Sequence, residues 1–76
     1  MNLKDAATLA KEHVSSLFAA EALQNVRLEG FLYDDHLMVW SLTIGFDPPG
    51  PRQVARTSKV VRVSEANKSV LSVRDP

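Results

Sequence analysis

The chain has 76 residues, 45 % of them hydrophobic and 24 % charged, and its nine basic and nine acidic side chains leave no net charge. That is the balance of one small globular domain, and it excludes both a disordered tail and a pair of domains. With no cysteine, disulfides, thiolate zinc sites and thiol catalysis are removed together, and nothing points to an oxidising compartment.

No apolar run approaches the ~20 residues that a membrane-crossing helix needs. The first residues, MNLKDAATLAK, carry charges where a signal peptide requires an uninterrupted apolar stretch, so the expected location is cytoplasmic. A domain of this size buries only about 60 % of the surface of its unfolded chain, and self-association would add support to so small a core. The zero charge is unevenly spread. Residues 1–51 hold three basic against seven acidic side chains, and residues 52–76 hold six against two.

Taken in order, the spacing of Leu3, Ala6, Ala7, Ala10, Val14, Leu17 and Phe18 predicts an amphipathic helix from Leu3 to about Ala20, ending by Leu23. Asn2 is placed to cap its first turn, with Asp5 three residues later at the positive end of the helix dipole. The stretch from Val26 to Phe46 reads as a β-hairpin around the polar trio Asp34, Asp35 and His36. Period-two alternation turns Val26, Leu28, Leu32, Met38, Trp40, Leu42, Ile44 and Phe46 inward. Arg27, Glu29, Phe31, Tyr33, Leu37, Val39, Ser41 and Thr43 then face outward. Gly30, mid-strand, marks either a bulge or a close approach by Trp40 or the helix.

Asp47 to Gln53, DPPGPRQ, is read as a stiff loop, since proline cannot donate to a sheet ladder. Pro48 and Pro51 followed by Arg52 also match the spacing of a polyproline ligand, although such ligands usually lie in disordered segments. A third strand over residues 54–63 turns Val61 and Val63 inward and Arg56, Val60 and Arg62 outward. Ala55, Thr57 and Lys59 share the inward phase, which predicts an edge or a bulge near Lys59. A turn, with Asn67 best suited to positive φ, leads into a fourth strand over residues 70–74. There Leu71 and Val73 point inward, and Val70 and Arg74 outward. The expected fold class is α+β, one N-terminal helix packed across a four-stranded antiparallel meander.

Within that layout KVVRVSEANKSVLSVRD resembles the closing hairpin of PepSY-like bacterial domains, and WSLTIGF resembles their tryptophan-led central strand. These small helix-plus-sheet proteins are in turn similar to reduced cystatin-type folds. Ser64 stands where the family usually has Asp, and Lys68 where it usually has Gly. The resemblance implies a binding or regulatory module and transfers no functional residue.

Little in the chain sets up catalysis. Asp34, Asp35 and His36 lack a second acidic or histidine cluster to complete a metal site, and serve a turn better. His13 sits at the margin of the helix's packing face, where a partly buried histidine with one hydrogen bond is the expectation. Ser15 and Ser16 have no nucleophile-elbow setting, and no glycine-rich loop opens a helix. Trp40 reads as a core anchor whose indole N–H needs an acceptor. The expectation is a non-enzymatic protein with no catalytic residue, cofactor or metal. Its candidate partner-binding face is the outer sheet surface carrying Phe31, Tyr33, Val39, Val60, Arg56, Arg62 and Arg74. The expected partner is a protein, with a second copy of the chain as one form of it. The alternative is single-stranded nucleic acid, because arginines interleaved with aromatic groups on an open sheet suit stacked bases.

Overall fold

The computed structural model describes residues 1–18, 23–48 and 56–76. Helix α1 (Leu3–Leu17) is followed by strands β1 (Gln24–Asp34), β2 (Val39–Asp47), β3 (Thr57–Ser64) and β4 (Ser69–Arg74). The strands form one antiparallel sheet in the order β1-β2-β3-β4. The α+β meander expected from the alternation is therefore the architecture found. Residues 49–55, which hold most of the proline loop and its Pro51 and Arg52, lie outside the described residues. No described helix is long and apolar enough to cross a membrane.

The helix starts as its cap residues require. Asn2 is extended, its Oδ1 accepts the Asp5 N–H at 2.8 Å, and Asp5 is the acidic residue of the first turn. Ala6, Ala10 and Val14, each 0 % exposed, form the buried stripe four residues apart. With methyl-sized side chains at Ala6 and Ala10, the helix axis can lie close to the sheet. Opposite them stand Leu42, Ile44 and Phe46 of β2 and Val61 and Val63 of β3. Burying each of these five contributes about 1.5–3 kcal/mol. At the far end, Phe18 packs against Phe46 with ring centroids 5.7 Å apart. The helix stops at Leu17, whose side chain is exposed rather than part of the packing face as its spacing predicts.

Strict alternation holds through the pairing of β2 with β3, which runs from Val39↔Ser64 to Phe46↔Thr57 without a break. Of the two alternatives expected near Lys59 the bulge is absent and the edge is found, because β4 pairs with β3 only from Val60 onward and leaves Thr57 to Lys59 without a partner on that side. Lys59 lies opposite Ile44 on the helix-side face, and its ammonium is carried to the Asp75 carboxylate. Alternation fails on the two edge strands. β1 spends 11 residues against the 9 of β2, with register shifts between Gln24 and Arg27 and between Leu28 and Gly30. One surplus residue reverses the face of everything beyond it. Val26 and Leu28 accordingly pack on the core as expected. Past Glu29 the phase inverts, so that Phe31 lies opposite Leu42 and Tyr33 opposite Trp40, while Leu32 lies opposite Ser41.

On β4 the shift falls between Val63↔Val70 and Arg62↔Ser72, which leaves Leu71 as the surplus residue. Val70 packs on the core and Leu71 is half exposed, the reverse of their expected orientations. The two hairpin turns are built alike. Each is a four-residue loop whose last member has positive φ, 55° at Met38 and 53° at Lys68. Met38 is therefore part of the turn and exposed, not the first inward residue of β2, and Lys68 rather than Asn67 takes the left-handed conformation. Asp34 Oδ1 accepts the N–H groups of His36 and Leu37 in the first loop, and Ser64 Oγ that of Asn67 in the second.

The phase inversion separates two leucines by their cost of truncation. Leu42→Ala is expected to lose about 2–5 kcal/mol in urea unfolding, as a fully buried leucine does. Leu32→Ala, at 69 % exposure, is expected to stay within about 0.5 kcal/mol of the parent. A lysine at positive φ is strained where glycine is not, so Lys68→Gly is expected to stabilise by about 0.5–1 kcal/mol in thermal unfolding.

Candidate functional site

The register and the ion pairs divide the seven candidate residues among four environments. Phe31 and Tyr33 stand on the helix-side face next to Trp40, not on the outer face. The surplus residue at Glu29 is the physical reason. Val39 keeps its outer orientation opposite Asp34 and Ser64, yet is only 6 % exposed, so it offers a partner no surface. Val60, Arg62 and Arg74 do remain together on the outer face. Val60 lies between Thr43 and Arg74, and Arg62 between Ser41 and Ser72. With Ser58 also in this phase, the centre of the face is a field of hydroxyls and arginines rather than the semi-apolar surface that alternation predicts.

Arg56 is committed within the chain. Its Nε lies 3.3 Å from Glu29 Oε2 and its Nη1 2.9 Å from Asp47 Oδ1, while Nη2 donates to the Asn25 carbonyl at 3.0 Å. One guanidinium thus ties the start of β1 and the end of β2 to the start of β3, using its planar donors in three directions. Glu29 reaches this cluster by crossing β2. Its Oε1 accepts the Ser58 hydroxyl at 2.8 Å, and the carboxylate passes directly over Gly45, where an added Cβ would collide with it. Gly45 is therefore the gap through which Glu29 bridges β1 to β3. A Cβ at Gly30 would meet nothing within 4 Å, so the close approach expected there is not the reason for that glycine.

Electrostatics follow from these contacts. The Ser58 hydrogen bond, aided by the Arg56 guanidinium, holds the Glu29 carboxyl below its ordinary 4.5 against the opposing pull of desolvation. The Asn25 amide, followed by Arg56, holds Asp47 below 3.8 in the same way. A second cluster sits at the turn end of the helix-side face. Tyr33 stacks at a tilt on Trp40 with centroids 4.7 Å apart, and Phe31 lies 6.3 Å from the same indole. The Tyr33 hydroxyl donates to Glu65 Oε2, and the Met1 amino group lies 3.4 Å from Glu65 Oε1. This hydrogen bond raises the Tyr33 pKa and lowers that of Glu65. Trp40 Nε1 is buried and finds no acceptor among the described residues, contrary to the expectation for a core tryptophan.

Four large apolar side chains stay in water along the outer part of the β1–β2 hairpin: Phe31 and Leu32 on β1, and Leu37 and Met38 in the turn. Alternation alone hides Leu32, because only the surplus residue at Glu29 turns it outward. An open groove of about 440 Å³ runs beside the helix, lined by Met1, Lys4, Asp5, Thr8, Leu9, Glu12 and Lys68. Among the described residues no three His, Asp or Glu side chains are grouped as a metal site would need. No family model, curated protein or solved structure matches the chain.

The Glu29 bridge makes a pH prediction with a definite sign. A carboxyl held low in the folded state contributes stability above its unfolded pKa and loses it as pH falls through the folded pKa. Stability is therefore expected to decline on acidification below about pH 4.5, where Glu29 and then Asp47 begin to take up protons in the unfolded chain. Gly45→Ala displaces the Glu29 carboxylate, so an NMR titration of that variant is expected to find Glu29 back near its ordinary value and the acid decline reduced. Gly30→Ala is expected to alter neither.

Proposed function

We propose that the chain is a non-enzymatic protein-interaction module of the cytoplasm, in keeping with the binding role that its PepSY-like and cystatin-like resemblance implies. Its contact surface is the outer part of the β1–β2 hairpin. The observation that carries this reading is the exposure of Phe31, Leu32, Leu37 and Met38 at 57, 69, 62 and 47 % on one hairpin. Single exposed hydrophobes need no explanation, but four gathered on one hairpin, Phe31 and Leu32 on opposite faces of its edge strand and Leu37 and Met38 in its turn, mark a docking surface. Asp34 and Asp35, beside the apolar groups, oppose an anionic lipid surface and suit a protein.

The nucleic-acid reading draws less support. Arg62 and Arg74 still share a face, but Phe31 and Tyr33, which would stack bases between them, are on the opposite one, and Arg56 is engaged by Glu29 and Asp47. A photo-reactive residue placed at Leu37 is expected to give saturable protein adducts that excess unlabelled chain competes away. The same probe at Ser72, on the outer face, is expected to give few. Adducts from Ser72 but not Leu37, or tight salt-sensitive binding of single-stranded oligonucleotides, would overturn the proposal in favour of the arginine face.

A further inference from the structure

The sheet has two free edges among the described residues, and they are not alike. An edge strand presents unpaired N–H and C=O groups, which natural sheets blunt by short length, bulges, lysine or proline. β4 is blunted: it has six residues, its bulge falls at Leu71, and Asp75-Pro76 follows it. β1 has eleven residues and neither lysine nor proline. Its two irregularities lie before Gly30, so Gly30 to Asp34 is a regular segment in step with Thr43 to Val39.

Along this segment Phe31 and Leu32 are both exposed and point to opposite faces of the sheet. A partner laid on either face covers one of them. A strand added at the edge covers both, because its own side chains alternate above and below the sheet.

Resting on the reading of the hairpin as a protein-binding surface, we infer that β1 pairs with β1 of a second copy of this chain, antiparallel, about a two-fold axis at Leu32. In that register Leu32 faces the partner's Leu32, Phe31 lies opposite the partner's Tyr33, and Gly30 lies opposite the partner's Asp34. The pairing is self-complementary in each respect that matters for cross-strand neighbours. An aromatic meets an aromatic on the helix-side face, where the row would run from Trp40 through Tyr33 to the partner's Phe31. A leucine meets a leucine on the outer face. The only charge in the segment, Asp34, falls opposite a glycine. Centring the axis on Asp34 sets acid against acid, and centring it on Gly30 or Phe31 brings the irregular Glu29 into the interface. Leu32 is the one centre that uses the whole regular segment and nothing else.

The interface is small, far below the ~800 Å² per partner of a standard complex, so the dimer is weak, with a dissociation constant on the order of 10–100 µM. Sedimentation equilibrium of the purified chain is expected to show concentration-dependent dimerisation over this range. Leu32→Lys, which sets two like charges face to face at the axis, is expected to weaken it at least ~tenfold. Because the chain has no cysteine of its own, Leu32→Cys is expected to form a covalent dimer on mild oxidation, the two Cα atoms of a facing pair being within disulfide reach. Leu71→Cys, on the other edge, is expected to remain monomeric. Both positions are half exposed or more, and near-ultraviolet circular dichroism of Trp40 confirms folding. A chain that stays monomeric to about 1 mM, or one that crosslinks as readily through Leu71→Cys, overturns the self-pairing. If that monomer still forms competable adducts from Leu37 with a different protein, the self-pairing alone is overturned and the protein-binding reading stands.

Discussion

A single surplus residue in β1 governs how this molecule presents itself. Glu29 has no direct partner on β2, lying between Leu28↔Ile44 and Gly30↔Thr43. Before it, Val26 and Leu28 add to the core beneath the helix. Beyond it, the same alternation runs in the opposite sense, delivering Phe31 and Tyr33 to Trp40 and turning Leu32 to water. A bulge at a sheet edge re-aims side chains in this way without disturbing the central strands, and β2 and β3 indeed stay in step throughout.

The residue that breaks the ladder is also used. Freed from a partner, the Glu29 side chain crosses Gly45 to Ser58 and Arg56, so the irregularity in β1 is tied to β3. Arg56 then gathers Asp47 and the Asn25 carbonyl, closing the end of the sheet that the turns do not close. At the opposite end Glu65 plays the matching part. It receives the Tyr33 hydroxyl and lies beside the Met1 amino group, and its N–H donates to the Met38 carbonyl in the neighbouring turn. Each of these contacts is partly or fully exposed, so each contributes modestly. Their shared effect is to hold strand ends in register around a core made by Ala6, Ala10, Val14, Leu42, Ile44, Val61 and Val63.

Much of this was legible in the order of residues. Apart from Leu17 and Met38, the helix face and the inward sets of β2 and β3 follow from periods of 3.6 and 2, as do the four strands. What escaped lies on β1 and β4, the strands that carry surplus residues. Gly30 did hint at a bulge, but a glycine cannot say on which side of itself the extra residue falls, and one position decides the face of every later side chain. The candidate site suffered most, since Phe31 and Tyr33 both come after such a break. Arg56 was readable as outward-facing but not as engaged, because its partners Glu29, Asp47 and Asn25 are 27, 9 and 31 positions away in sequence.

The surface that emerges is a sheet edge unpaired among the described residues, with apolar groups on both of its faces, and the inferred self-pairing rests on it. Everything then depends on which face Leu32 occupies. The most direct measurement is the set of nuclear Overhauser contacts from the Trp40 indole, the only indole in the chain. Contacts to the rings of Tyr33 and Phe31, with none to the Leu32 methyls, are the predicted result. Strong contacts from Leu32 to Trp40 or Leu42, with Tyr33 remote from the indole, would mean that β1 pairs without its bulge and would contradict the account.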